Sequence, residues 1–144
     1  MIKFDHISKK YGNDYAVQDL SLEIEDGELF VLVGPSGSGK TTAMKMINRL
    51  VEPTDGDTYV RGVRAIDYDL VELRRGIGYV LQNSALFPNM TIAQNAGIQL
   101  EMMKVNKVER DQRVNDLLDT VGLNHQDYAN RMPDELSGGE QQRV

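Results

Sequence analysis

Residues 29–41 read Leu29-Phe30-Val31-Leu32-Val33-Gly34-Pro35-Ser36-Gly37-Ser38-Gly39-Lys40-Thr41. Five apolar residues lead into a stretch that fits G-x-x-x-x-G-K-[ST], and Thr42 to Leu50 continues with helical periodicity, Ala43, Ile47 and Leu50 sharing one face. A strand, a glycine-rich loop and a helix in that order are the setting in which this pattern binds phosphate. Glycines let the backbone bring its N–H groups against phosphate oxygens. The helix start adds unsatisfied donors and the positive end of its dipole. Lys40 is suited to neutralise β- and γ-phosphates, and the Thr41 hydroxyl to ligate magnesium. An ordinary glycine-rich turn would not need this flanking order.

Outward from the loop, the chain reads as alternating strand and helix. Ile2 and Phe4, then Leu20, Leu22 and Ile24, alternate with polar neighbours, which predicts strands over 2–10 and 15–25 joined at Gly12-Asn13-Asp14. Asp26-Gly27 turns into the 29–33 run, whose unbroken apolar character predicts a strand covered on both faces of a parallel sheet. Beyond a break at Glu52 to Gly56, short strands are expected at Thr58–Val60 and Val63–Ile66, a helix at Leu70–Arg75 and another apolar strand at Ile77–Leu81. Thr91-Ile92-Ala93-Gln94 is a capping box opening a helix with Ile92, Ala96, Leu100 and Met103 on one face. A second helix starts near Asn106, carries Val114, Leu117, Leu118 and Val121 on one face, and has Gly122 at its C-terminal cap position.

The bulk properties exclude several classes. With 144 residues and 40% apolar content the chain can bury a core, and with no cysteine it can form neither disulfides nor thiolate metal sites. His6 and His125 are too isolated for a zinc site. No apolar run approaches bilayer length and no signal core is present at the start, which predicts a protein kept in the cytoplasm. A net charge of −6 with scattered acids and bases argues against nucleic acid as the main partner.

A second motif closes the chain. Leu136-Ser137-Gly138-Gly139-Glu140-Gln141-Gln142-Arg143 reads as a helix start with Ser137 as N-cap and Glu140 reaching back. Two glycines in a first turn cost roughly 1 kcal/mol each against alanine. They leave backbone N–H groups bare, which suits an anion. A simple capped helix after a proline-containing loop reads equally well from these residues alone.

Together the motifs resemble the ATP-binding cassette (ABC) family, the nucleotide-driven subunits of membrane transporters. The resemblance runs from the first strand to the last residue and implies an α/β fold: a P-loop NTPase core with an antiparallel β-subdomain and a helical subdomain. The chain is expected to be one incomplete ATP-binding domain, with β-subdomain and nucleotide core over 1–83, helical subdomain over 84–136 and the start of the signature helix over 137–144. By resemblance Gly34, Pro35, Ser36, Gly37, Ser38, Gly39, Lys40, Thr41 and Thr42 hold ATP, with magnesium on Thr41 and Gln82. Gln82, 42 residues after Lys40, looks like the catalytic glutamine that contacts the metal and couples to the membrane partner. Tyr11, 23 residues before Gly34, looks like the aromatic that stacks on adenine. LSGGEQ looks like the family signature, whose Ser137, Gly138, Gly139 and Glu140 close on nucleotide held by a second, head-to-tail subunit.

A finer similarity, in Met44 to Leu50 with Glu52-Pro53-Thr54 and in Gly78 to Gln82 with Leu86 to Thr91, points to importers of glycine betaine, carnitine or choline. That implies membrane-spanning permease subunits, an indirectly engaged solute receptor and a place on the cytoplasmic face of the membrane. A non-transport cassette acting on ribosomes or DNA is the alternative, and an unrelated phosphate-loop kinase or GTPase would leave LSGGEQ unexplained. Relative to the family pattern, the sequence stops before the strand carrying the magnesium-supporting aspartate, the water-orienting glutamate and the switch histidine. It is therefore expected to be a fragment, a poor ATPase by itself, with an exposed apolar edge at 29–33.

Overall fold

A computed structural model of the protein describes residues 1–81 and 85–144. They form two compact units, Met1–Gly78 and Tyr79–Val144. The first contains β1 (Ile2–Tyr11), β2 (Asp14–Ile24), α1 (Lys40–Ile47), β3 (Asp55–Val60), β4 (Val63–Arg64) and α2 (Leu70–Arg75), with a 3-10 turn at Ala65–Asp67. Its strands make an antiparallel sheet in the order β2-β1-β3-β4. The predicted alternation sets the register, with Ile2 opposite Ile24, Phe4 opposite Leu22 and Ile7 opposite Leu20. Phe4 and Ile7 then form a core with Ala43 and Met46 of α1, bordered by Val17, Leu20 and Leu22. Burial of this face of α1 anchors the helix that the phosphate-type loop leads into.

Helix α1 begins at Lys40, earlier than the periodicity predicts, and ends at Ile47, so Leu50 lies past it and half-exposed. The early end has a side-chain cause. Arg74 of α2 donates through Nε to Asn48 O at 3.1 Å and through Nη2 to Arg49 O at 2.9 Å. A cation on the carbonyls closing a helix suits the negative end of its dipole. Asn48 Oδ1 accepts from Leu50 N at 3.2 Å, and Arg49 adopts a positive φ of 54°. Helix α2 is fixed at its other end by Asp69, whose carboxylate accepts from Val71 N and Glu72 N, both at 3.0 Å.

Two expected strands are not formed. Residues 29–33 lie outside any strand and mostly face solvent, with Leu29 91% and Val33 89% exposed and Leu32 partly buried, and residues 77–81 are likewise outside any strand, with Val80 79% exposed. An apolar run records a preference for burial, but a strand also needs hydrogen-bonding neighbours. Among the described residues the four strands pair only with one another. The apolar edge expected at 29–33 is thus exposed, without strand geometry. The strand expected over Val63–Ile66 shortens to Val63–Arg64 before the 3-10 turn.

The second unit is helical: α3 (Ile92–Met102), α4 (Lys107–Thr120), α5 (His125–Tyr128) and α6 (Gly138–Gln141). The predicted capping box forms at α3, with Thr91 N donating to Gln94 Oε1 at 2.8 Å and Gln94 N to Thr91 Oγ1 at 3.3 Å. Asn106 caps α4 through Val108 N at 2.9 Å. Ile92, Val114, Leu118, Leu123 and Leu136 make the core, with Ala96 and Leu100 packed against it and Met103 exposed. Buried Asn95 ties the preceding loop to α3, accepting from Phe87 N at 2.7 Å and donating to the carbonyls of Phe87, Met90 and Thr91. Among the described residues no helix is long and apolar enough to cross a membrane.

Candidate functional site

The first site is the N-terminus of α1. Its N-cap is Gly39, left-handed at φ 85°, and it makes no side-chain cap hydrogen bond. Among the described residues the five other α-helices each begin with a side chain that accepts from their first turn: Asp69, Thr91, Asn106, Asn124 and Ser137. At α1 the orphan N–H groups of the first turn therefore remain for an external acceptor. Glycine is required at position 39 on two counts. Its φ is costly for any L-residue, and a Cβ there would lie 2.1 Å from Ala16 O and 3.0 Å from Val17 Cγ2. Strand β2 thus presses against the loop and shapes it from behind.

Lys40 is wrapped by its own loop. Its Nζ donates to Gly34 O and Pro35 O, each at 2.7 Å, and to Ser38 Oγ at 3.1 Å. Three acceptors match the three protons of an ammonium, so the charge is gathered over the loop. A cavity of about 570 Å³ opens here, lined by Gly34, Pro35, Gly37, Ser38, Gly39 and Lys40 from the loop and by Tyr15, Ala16 and Val17 from β2. Thr41 sits exposed on the first turn of α1, with Thr42 half-buried beside it, and neither lines the cavity. Ser36 is exposed in the turn at the loop's tip and also lies off the lining. Tyr11 stands at the end of β1, 54% exposed, with Lys9 Nζ 5.2 Å from its ring centre. The aromatic on the cavity wall is Tyr15. Gln82 lies outside the described residues. Among the described residues no cluster of three or more His, Cys, Asp or Glu could hold a metal.

The second site is the start of α6, where the predicted capping box is present. Ser137 N donates to Glu140 Oε2 at 2.8 Å, and Glu140 N to Ser137 Oγ at 3.4 Å. The Ser137 hydroxyl also donates to Glu140 Oε2, at 2.6 Å. Tyr128 OH donates to Glu140 Oε1 at 2.7 Å. Hydrogen bonds from the Ser137 hydroxyl, from Tyr128 and from Ser137 N hold the Glu140 carboxyl down to about 2. Cβ atoms at Gly138 or Gly139 would meet nothing within 4 Å, so both glycines face open space.

A family model described as ABC transporter matches residues 17–144. The chain belongs to the ABC transporter family. Its antiparallel sheet and helices match a dimeric ATP-binding cassette solved in a post-hydrolysis state with ADP and Pi: TM-score 0.87, 34% identity, covering 99% of this chain and 66% of that one. The choline transport ATP-binding protein OpuBA of Bacillus subtilis is 46% identical over all of this chain and 38% of its own length. The glycine betaine/carnitine/choline transport ATP-binding protein OpuCA of the same organism matches with the same identity and coverage. The chain thus spans 38% of the length of both curated relatives.

Two residues that the structure sets beside these sites escaped the sequence reading. Tyr15 could be found from the strand pairing that sets it opposite Lys10, whose ammonium lies 5.1 Å from its ring centre. Tyr128 carried no signal at all, because eight residues, a 3-10 turn at Pro133–Glu135 among them, separate it from Ser137 and only the fold brings its hydroxyl to Glu140.

Proposed function

We propose that this chain is the ATP-binding part of a subunit that energises an ABC importer, with quaternary-amine osmoprotectants such as glycine betaine, carnitine or choline as cargo. The observation that carries the nucleotide reading is the α1 N-terminus, uncapped by any side chain and gathered around Lys40. Glycines 34, 37 and 39 let the 34–42 backbone donate to phosphate oxygens. Lys40 exchanges its loop carbonyls for β- and γ-phosphate oxygens, and Thr41 with Gln82 would hold magnesium. Tyr11 would stack on the adenine. MgATP supplies the transferable γ-phosphoryl group, and positioning plus charge neutralisation are what such a site contributes. The cargo reading rests on the relatives' names, since none of the residues named here would touch the cargo.

In this reading Ser137, Gly138, Gly139 and Glu140 of one subunit close on nucleotide held by Lys40 and Thr41 of a second, head-to-tail copy. The ligand then bridges the pair, and hydrolysis loosens it by changing the bridging charge. Permease subunits in the membrane receive the motion, a solute receptor acts through them, and the pair works at the cytoplasmic face.

In the full-length protein, Lys40→Ala should weaken MgATP binding at least about tenfold by calorimetry, since a charged hydrogen-bonding group is removed. Ser137→Arg should leave binding to one protomer intact while abolishing ATP-dependent dimerisation in sizing chromatography. Unchanged MgATP affinity in the first variant would sink the loop assignment. Normal ATP-driven dimers in the second would sink the shared site.

A further inference from the structure

We propose that Tyr128 is a positioning residue for the signature serine, acting through Glu140. The inference rests on the reading above that the Ser137 hydroxyl meets a phosphate across a subunit pair. Its own basis is a three-residue relay in the helical unit: Tyr128 OH to Glu140 Oε1 at 2.7 Å, and Glu140 Oε2 to both Ser137 Oγ at 2.6 Å and Ser137 N at 2.8 Å.

A serine hydroxyl has one proton to donate. Here Glu140 takes it, and a phosphate oxygen would need that same proton. The carboxylate and the phosphate therefore compete for Ser137. What Glu140 keeps once the hydroxyl turns away decides how readily it lets go. With Tyr128 present it retains a hydrogen bond on each oxygen, from Tyr128 OH and from Ser137 N. Without the phenol, Oε1 loses its donor and the carboxylate relies more heavily on Ser137.

Tyr128 is itself held firmly enough to serve. Its ring packs against the core that contains Leu118 and Leu136, and Arg131 stacks over it with its guanidinium carbon 4.4 Å from the ring centre. Arg131 Nε in turn donates to Asp127 O at 2.9 Å. The phenol oxygen is thus fixed by packing independent of Glu140. Nothing in the signature pattern itself requires a tyrosine at this position.

The experiment uses the full-length protein and reads two quantities: MgATP affinity of the single protomer by calorimetry, and the ATP concentration that half-saturates dimer formation. Tyr128→Phe keeps the ring and removes only the hydroxyl. It should leave protomer affinity within twofold and raise the half-saturating ATP concentration roughly fivefold to tenfold, the scale of one charge-assisted hydrogen bond. In a Ser137→Ala background, which has no hydroxyl to release, Tyr128→Phe should have no further effect on dimer formation. An equal effect in both backgrounds would mean a merely structural role and overturn the proposal. So would wild-type dimer formation by Tyr128→Phe while Ser137→Ala is impaired. If Ser137→Ala alone dimerises normally, the shared-site reading is what fails. A thermal melt of Tyr128→Phe within about 2 °C of wild type verifies that the comparison concerns folded protein.

Discussion

Two helices of this chain start among glycines, and they start in opposite ways. Helix α1 has Gly39 as a left-handed N-cap and no side-chain cap, while α6 has Ser137 as N-cap and a carboxylate from its own first turn bound across it. The contrast shows in the glycines. At Gly39 there is no room for a Cβ, because Ala16 O would lie 2.1 Å away; at Gly138 a Cβ would meet nothing within 4 Å. The first glycine is demanded by the protein's own packing. The second is indifferent to it, so any requirement for glycine at 138 must come from outside the chain. One helix start is kept open with a lysine gathered at it, and the other is closed upon itself and must exchange an internal partner to accept a new one.

Replacing the two glycines tests this contrast most strongly. Gly39→Ala should lower stability by about 2 kcal/mol or more, from the left-handed φ and the contact with Ala16, and should abolish measurable nucleotide affinity with it. Gly138→Ala should stabilise the fold by at most roughly 1 kcal/mol, the helix-propensity gain. Chemical denaturation of both variants checks the pair, and comparable destabilisation by the two would erase the distinction. Next in size is the cap. Ser137→Ala removes a side-chain cap and should cost about 1 kcal/mol of local stability, seen as faster amide exchange in the first turn of α6. A substitution at Gly39 has no such capping term to lose.

The smallest effect is a pH dependence confined to α6. Glu140 titrates near 2 rather than at its ordinary 4.5, so the carboxylate's contribution is complete above that ordinary value and is lost as pH falls through about 2. A carboxyl-carbon NMR titration should find Glu140 still ionised at pH 3.5 in wild type and shifted back toward 4.5 in Tyr128→Phe. A Glu140 that titrates normally in wild type would mean the relay is not populated in solution.

Much of this was legible beforehand for local reasons. The β1–β2 hairpin followed from period-2 alternation and its glycine turn, and the capping boxes at Thr91/Gln94 and Ser137/Glu140 from residues three apart. The strands read from Leu29–Val33 and Ile77–Leu81 did not form, because apolar character specifies burial but cannot supply a pairing partner. The end of α1 was misplaced for a related reason: its stop is set partly by Arg74, a residue 26 positions away from Asn48.

What the sequence determined by itself is therefore the short-range chemistry: a glycine loop ending in Lys40 and Thr41, a self-capped LSGGEQ helix start, and membership of a family defined by both. Tertiary structure alone decided which groups surround them. It put β2 behind Gly39, Tyr15 on the cavity wall and Tyr128 on Glu140. The physical reason is range. Caps, turns and alternation are satisfied within a few residues of chain, whereas a hydroxyl reaching a carboxylate 12 residues away depends on the packing of every element between them.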